Sequence, residues 1–142
     1  MKIKTYPSNL VPRILATLID YGFYFLIFYC YLIYFGDETS EGYSVHGVMA
    51  LPLNILWVLY FVVIESVNSA TIGHTLLNLK VETTKGRKID FIDSFKRRLL
   101  DPIDIFFWGI PAIIAIKNSD KSQRLGDMWA GTVVVKIENT KS

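Results

Sequence analysis

Cysteine is almost absent from this chain, and charged residues are scarce. The 142 residues include one cysteine, Cys30, and only 20% of them carry a charge. A single cysteine excludes a disulfide scaffold. The low charge and the 14% of aromatic residues exclude a disordered chain. The net charge of +2 gives no indication of a nucleic-acid partner.

Signatures of enzymatic chemistry are also lacking. The sequence has no glycine-rich phosphate loop and no G-x-S-x-G nucleophile motif. The two histidines, His46 and His74, lie in different segments and form no metal pair. Cys30 lies among aromatic residues with no basic neighbour to activate its thiol. We therefore expect no enzyme, no metal and no cofactor.

What the sequence does have is long apolar runs. Residues 14–35 include one charge, Asp20, and as a helix they reach roughly 33 Å, enough to cross a hydrocarbon core of about 30 Å. Residues 48–67 form a second such run. The pattern predicts an α-helical integral membrane protein with transmembrane helices near 12–35 and 48–67. The first run is too long for a cleaved signal peptide.

A third apolar run, residues 103–116, is short and contains Gly109 and Pro111. A straight helix needs about 20 residues to cross the bilayer, and glycine and proline break or kink it. We predict a third membrane segment near 99–117. We favour a re-entrant segment, because the basic tail 117–142 then stays on the cytoplasmic side, whereas a full crossing would place it outside. A full crossing remains the alternative.

The basic residues indicate an orientation. The chain up to Arg13 has three Lys and Arg residues, the stretch 65–100 has seven, the tail 117–142 has five, and the loop 36–47 has none. Because cytoplasmic loops are enriched in Lys and Arg, we expect a cytoplasmic N-terminus and an external loop 36–47.

Two short stretches of the sequence resemble each other. Residues 72–81 and 125–134 both begin with an apolar residue and glycine, and both continue in an alternating pattern. They predict short helices followed by strands. We expect a small cytoplasmic β element with strands near 79–84, 87–91 and 132–137, where 78–91 is a hairpin and 123–137 a C-terminal motif. A chance match between the two stretches is the alternative.

Several charges in or near the apolar runs need a partner. Arg13 and Asp20 are seven residues apart and share one helix face. Arg13 is either part of a site or an anchor at the membrane interface. Asp20 is either a functional ionisable group or a structural one. Asp101 and Asp104 also share a face, and a local Arg97–Asp101 pair is the simplest structural account.

The chain resembles the RDD family of small membrane proteins, named for one arginine and two aspartates. The resemblance rests on three stretches of sequence: PRILATLID, TIGHTLLNLKVETTKGRKID and QRLGDMWAGTVVV. It places the family's arginine at Arg13 and its aspartates at Asp20 and Asp127. The chain departs from the family pattern at His74, usually a lysine, and at Asn78, usually a glycine.

The resemblance implies a bacterial integral membrane protein whose general function is unsettled. Transport of a ligand has been suggested for the family, and some members look like sodium/proton antiporters. We therefore expect one domain, 1–142, that transports a small ligand or a cation through an oligomer, with Na⁺/H⁺ exchange as one form. The expected partners are lipid, a second copy or membrane partner, and monovalent cations or protons.

The expected site consists of Arg13, Asp20 and Asp127, with Asp101 and Asp104 as further candidates. Asp20 is the membrane-embedded ionisable group. Alternatively, the protein is a membrane adaptor or assembly protein whose Arg and Asp residues are structural. For Asp127 a purely structural role, as a local helix cap or ion pair, is also an explanation.

Overall fold

Two long helices dominate the computed structural model, which describes residues 7–137 apart from the side chain of Ile105. Helix α1 is Leu10–Phe35, and a second helical run is Gly47–Asn68. Both are long and apolar enough to cross a membrane, with mean hydropathies of 1.6 and 2.2 over their most apolar windows. Residues 1–6 and 138–142 of the predicted domain 1–142 lie outside the described residues. They include three of the basic residues counted above, Lys2, Lys4 and Lys141.

The side chains of α1 are distributed in the opposite way from those of a helix in a water-soluble protein. Its buried residues are Arg13, Ala16 and Asp20, whereas large apolar side chains on its other faces are exposed. This pattern suits a helix that is surrounded by lipid and turns its polar stripe toward protein.

The second helical run changes its winding near its centre. It consists of a 3-10 turn (Gly47–Ala50), α2 (Leu51–Trp57), a π-helical turn (Val58–Val63) and α3 (Ile64–Asn68). Pro52 lies in the first turn of α2, where its missing N–H costs little. The π-helical turn buries Tyr60 and Phe61, and such turns are frequent at functional sites.

The loop between the two long helices contains a β-hairpin that the sequence analysis did not predict. Strand β1 is Asp37–Thr39 and pairs in antiparallel fashion with β2, Gly42–Ser44. With three residues each and most side chains exposed, the strands lack the apolar alternation that predicts strands.

A second two-stranded sheet joins the two halves of the chain. Short helix α4 (Ile72–Leu76) leads into β3 (Leu79–Thr83), and short helix α8 (Leu125–Ala130) leads into β4 (Thr132–Lys136). The two strands are antiparallel. The predicted third strand near 87–91 is wrong: only an isolated bridge, Glu82 to Lys88, is present there within the described residues.

Helix α5 (Phe91–Leu99) begins where that third strand was expected. Asp90 accepts a hydrogen bond from the Asp93 N–H at 2.9 Å, and the Asp93 carboxylate accepts from the Asp90 N–H at 3.1 Å. This reciprocal capping box starts the helix and ends the extended chain.

The third apolar run is a broken helical segment. It consists of α6 (Asp101–Phe106) and α7 (Ile110–Asn118), separated by Trp108 and Gly109 in left-handed conformation with φ of 60° and 75°. At about 1.5 Å per residue, neither helix reaches the roughly 30 Å that a crossing requires.

The repeat in the sequence corresponds to a repeat in the structure. Val81 lies eight residues after Gly73, and Val134 lies eight residues after Gly126. The two valines face each other across the β3–β4 pair, with two further residue pairs on either side. A local two-fold axis through this valine pair therefore relates α4–β3 to α8–β4.

The two repeated glycines make equivalent close contacts. A Cβ atom on Gly73 would overlap the backbone oxygen of Ala16 in α1, and one on Gly126 would overlap that of Arg97 in α5. Each short helix thus packs closely on the helix that opens its half of the chain, and only glycine allows that approach.

Candidate functional site

Six charged side chains form a closed ring of alternating charge, here called the ionic ring. Its members come from the first turn of α3, from α5, from the start of α6 and from the start of α8. In order around the ring they are Glu65, Arg98, Asp101, Arg124, Asp127 and Arg97. Five are buried, and Arg124 is 12% exposed.

Each acid in the ring contacts two arginines. Glu65 accepts from Arg97 and, at 2.7 Å, from Arg98. Asp101 lies 3.0 Å from Arg98 and 2.6 Å from Arg124. The remaining pairs place Asp127 at 2.7 Å from Arg97 and 3.7 Å from Arg124. Because every buried charge has opposite charges beside it, the desolvation cost of the ring is offset.

Local structure places these charges at favourable helix ends. Arg97 and Arg98 lie in the last turn of α5, where the helix dipole favours cations. Asp127 lies in the first turn of α8, and its carboxylate accepts from the Arg124 N–H at 3.2 Å. The Arg98 guanidinium also lies 5.1 Å from the ring centre of Phe61, the aromatic residue buried by the π-helical turn.

The ring stays ionised over the physiological pH range. Burial alone would raise the pKa of Asp127, but the guanidinium groups of Arg97, Arg13 and Arg124 hold that pKa well below its usual range. Burial alone would lower the pKa of Arg98, but Glu65 and Asp101 raise it well above its usual value.

Arg13 is attached to the ring through Asp127. Its Nη2 donates to Asp127 Oδ2 at 2.7 Å, and its Nη1 donates to the backbone oxygen of Ser122 at 2.5 Å. Arg13 is only 6% exposed. It is therefore a buried partner of α8 and does not occupy the lipid interface as an anchor.

Asp104 is attached to the ring more loosely. Its nearest ring member is Arg124, at 3.6 Å, and within the described residues neither of its carboxylate oxygens makes a hydrogen bond. It is only 7% exposed. Because both carboxylate oxygens are buried without a hydrogen-bond donor among the described residues, the ionised form of Asp104 is less stabilised than that of the ring acids.

Asp20 lies apart from the ring. Its carboxylate accepts hydrogen bonds from the Thr71 hydroxyl at 2.5 Å, the Gly73 N–H at 2.8 Å and the Tyr60 hydroxyl at 3.0 Å. His74 lies 3.6 Å away through its Nδ1. Burial lowers the pKa of His74, which favours its neutral imidazole. Asp20 thus connects α1 to the first turn of α4.

The sequence-predicted site residues therefore fall into two groups. Arg13, Asp101, Asp104 and Asp127 meet at the ionic ring, and Asp20 does not. The local Arg97–Asp101 pair is wrong, because Arg98 contacts Asp101 whereas Arg97 contacts Asp127 and Glu65.

Sequence reasoning missed four members of the ring. They are Glu65, Arg97, Arg98 and Arg124, of which the sequence analysis considered only Arg97, with the local partner Asp101. The sequence offers no local signal for these pairings, because adjacent arginines just before an apolar run are equally typical of a solvated cytoplasmic flank.

A cavity of about 650 Å³ opens beside the ring, between α1 and α7. Its charged lining consists of Arg13, Arg97, Arg98, Arg124 and Asp104, and the titratable His74 also lines it. The remaining walls are mostly apolar side chains of α1 and α7, together with Thr17, Tyr21 and Trp108. Apolar walls with a few convergent polar groups are typical of small-molecule sites. Within residues 7–137 no cluster of three or more metal-ligating side chains is present.

Comparison with known proteins gives a family but no individual relative. The model of the RDD family matches residues 7–131. No curated protein and no solved structure matches the chain. The matched range includes Arg13, Asp20 and Asp127, and the structure gives these residues two different environments.

Proposed function

Since the chain belongs to the RDD family and is a membrane protein, we propose that it transports a small ligand across the membrane. The ligand binds in the cavity between α1 and α7, and Asp104 is the group that exchanges a proton. The proposal includes no enzymatic step and no cofactor.

The observation that carries the proposal is the unsatisfied carboxylate of Asp104 in the wall of a cavity. Every other acid in or attached to the ring has an arginine within hydrogen-bond distance. A buried carboxylate without such partners takes up a proton more readily than the others. An ionisable group of this kind near a membrane is a candidate coupling site.

Asp20 is assigned a structural role in this proposal. Its three hydrogen-bond donors stabilise its charged form and tie α1 to α4. Exchange of Na⁺ for H⁺ at Asp20 would have to displace the donors of Thr71, Gly73 and Tyr60, so the arrangement favours Asp104 as the coupling group.

The same proposal includes the oligomeric state of the protein and its orientation in the membrane. Two spanning helices cannot enclose a path for a ligand, so the transporting unit is an oligomer or a complex with a membrane partner. The N-terminus and the β3–β4 sheet lie in the cytoplasm of a bacterial cell, and the β1–β2 hairpin lies outside. The segment α6–α7 then enters the bilayer and returns to the same side, as its short helices and central break favour.

A membrane adaptor is the second candidate. The closed ionic ring favours it, because a network that satisfies its own charges needs no ligand to explain it. In that case Asp104 affects neither binding nor flux, and substitutions in the ring lower only the folded yield.

The test is proton flux in liposomes that contain the purified protein and a trapped pH-sensitive dye. A preset pH gradient is challenged with Na⁺, Li⁺ and K⁺ salts and with decanesulfonate, a permanent anion. We expect flux in the wild type, loss of flux in Asp104→Asn, and retention in the folded fraction of Asp20→Asn.

Two results would overturn this assignment. Flux that is driven by a cation and lost only in Asp20→Asn would make Asp20 the coupling site. If the folded, inserted wild-type protein shows no proton flux with any of the salts, transport is excluded and the membrane adaptor is the remaining candidate.

A further inference from the structure

We propose that the cavity between α1 and α7 binds a monovalent amphipathic anion together with one proton on Asp104. The shared chemistry of the ligand is a carboxylate, sulfonate or phosphate group on a hydrocarbon chain. This inference rests on the proposed function for the location of the site, but it concerns binding and holds whether or not the ligand is carried across the membrane.

The charges that line the cavity favour an anion over a metal cation. Four guanidinium groups line it against one carboxylate, that of Asp104. The acids that balance the arginines, Glu65, Asp101 and Asp127, are not among the lining residues. A ligand in the cavity therefore meets the positive side of the ring first, and guanidinium groups bind oxyanions through directed N–H donors.

One guanidinium retains an unused donor. Arg98 is 2% exposed and lines the cavity, and its Nε makes no hydrogen bond within the described residues. A buried donor without an acceptor is costly, and an anionic oxygen in the cavity would satisfy it.

The shape of the cavity matches a ligand with an apolar tail. Apart from the charged residues, most of its lining is apolar. The apolar residues include Leu10, Ile14, Leu18 and Phe25 of α1 and Ala112, Ile113 and Ile116 of α7. The volume of about 650 Å³ is in the range of sites for drug-sized molecules. Inorganic anions would leave these walls uncovered, so an amphipathic ligand fits better.

Charge balance links the anion to a proton. Arg13 and the three ring arginines give four positive charges, and Asp104 and the three ring acids give four negative charges, so the sum is zero when all are ionised. A monoanion would make this sum negative in a buried site. Protonation of Asp104 with anion binding restores neutrality, because it removes one negative charge.

Several charges face Asp104 from the elements around it. They are Asp101 on α6, Arg13 on α1, Arg124 and Asp127 at the start of α8, and Arg98 across the cavity on α5. The titratable His74 of α4 lines the same cavity. Each of these charged groups has an opposite charge within 3.0 Å, and burial favours the neutral imidazole of His74. Within residues 7–137, Asp104 has only Arg124 at 3.6 Å, so it is the member whose charge changes most easily.

The experiment measures binding of decanesulfonate to the full chain in phosphatidylcholine nanodiscs between pH 5 and pH 8, with protein-free nanodiscs as reference. Its sulfonate stays charged throughout, so any pH dependence belongs to the protein. We expect affinity to fall by up to about tenfold per pH unit above the pKa of Asp104. Decanol should show no pH dependence, and decyltrimethylammonium should bind at least tenfold more weakly at pH 5.

Two pairs of variants make the result specific. Asp104→Asn mimics the protonated group, so it should bind decanesulfonate at every pH at least as tightly as the wild type does at pH 5. The exposed Asp120→Asn should keep the wild-type pH dependence. Ala112→Phe should fill the cavity and weaken binding at least tenfold. Ala115→Phe, on the same helix but lining a separate apolar groove beside α8, should not.

The source of the natural anion is identified by mass spectrometry of the purified protein. An anionic phospholipid retained by the wild type and lost from Ala112→Phe indicates a lipid headgroup. Binding of decanesulfonate without any retained lipid indicates a free anion. Both results support the proposal.

Other results would overturn it: an unchanged pH dependence in Asp104→Asn, preference for decyltrimethylammonium at pH 5, or full binding by Ala112→Phe. If the liposomes show no proton flux but binding of decanesulfonate depends on protonation of Asp104, transport is excluded and the binding site proposed here is supported.

Discussion

The two halves of the chain hold an aspartate in the same place by different chemistry. Asp20 lies four residues after Ala16, the residue that Gly73 contacts, and Asp101 lies four residues after Arg97, the residue that Gly126 contacts. In each half the residue before the short helix reaches that aspartate. Thr71 does so at 2.5 Å in the first half and Arg124 at 2.6 Å in the second.

A tyrosine completes each arrangement. Tyr60 donates to Asp20 at 3.0 Å, and Tyr21 donates to Asp101 at 2.7 Å. The first half uses neutral donors around its aspartate, whereas the second half uses arginines. The repeat therefore supplies a common scaffold, and the ionic ring is an addition made by five charged residues of the second half together with Glu65 of α3.

Asp104 has no counterpart in this comparison. By the same spacing its equivalent in α1 is Phe23, which is exposed. The scaffold formed without an acid there in the first half, so the fold does not require one. This is the strongest reason to separate Asp104 from the structural aspartates.

The largest expected effect comes from breaking the charged half. Asp127→Asn leaves Arg97, Arg13 and Arg124 without a shared partner, and loss of one member of a buried ionic network costs about 3–5 kcal/mol. Asp20→Asn should cost less, about 1–3 kcal/mol, because its donors are neutral. Thermal unfolding in mild detergent measures both.

The control for this pair is Asp120→Asn on the surface, which should leave the unfolding temperature unchanged. Equal losses in Asp127→Asn and Asp20→Asn would contradict the distinction between a charged and a neutral half.

Close packing by the two glycines should be equally important in both halves. Gly73→Ala and Gly126→Ala each place a methyl group against a backbone oxygen, so each should destabilise by about 1–3 kcal/mol. Gly22→Ala is the matched control, because no atom lies within 4 Å of its added Cβ. A loss in only one of the two variants would mean that the halves do not pack alike.

Acid should weaken the contacts that Asp127 makes in the ionic ring. The pKa of Asp127 is lowered in the folded protein, so the stabilisation it gives is present above the unfolded value of about 3.9 and is lost as pH falls below that value. The unfolding temperature of the wild type should therefore decrease below about pH 4. In Asp127→Asn this decrease should be smaller, and an unchanged acid profile in the variant would contradict the role of Asp127.

The sequence allowed prediction of the elements whose pattern is local. The two long helices follow from continuous apolar runs, and β3 and β4 follow from alternation after each glycine. The contact between Arg13 and Asp127 joins residues 114 positions apart, and only the family resemblance connected them beforehand.

The rest depends on packing between distant segments. Glu65 at the end of an apolar run has the same local pattern whether it faces water or two arginines, so its partners 32 and 33 residues away were not predictable. The strand expected near 87–91 was lost because the capping box at Asp90 and Asp93 starts a helix there.

The smallest expected effect tests the symmetry itself, at the residue before each strand. Asn78 and Gly131 occupy equivalent positions, both with positive φ, of 55° and 66°. Their carbonyls accept equivalent hydrogen bonds, from Ile137 N–H at 2.7 Å and from Thr84 N–H at 2.9 Å. Asparagine tolerates this conformation better than other residues with a side chain, which explains why it can stand where the family usually has glycine.

Exchanging the two residues should therefore change little. Asn78→Gly and Gly131→Asn, separately or together, should shift the free energy of unfolding by less than about 1 kcal/mol, whereas Asn78→Ala and Gly131→Ala should each cost about 1–2 kcal/mol. Denaturation of the four single variants and the double exchange in one detergent gives the comparison. A harmless alanine at one position and a costly alanine at the other would show that the two-fold relation stops at the strands, because the same backbone conformation would then be needed in only one half.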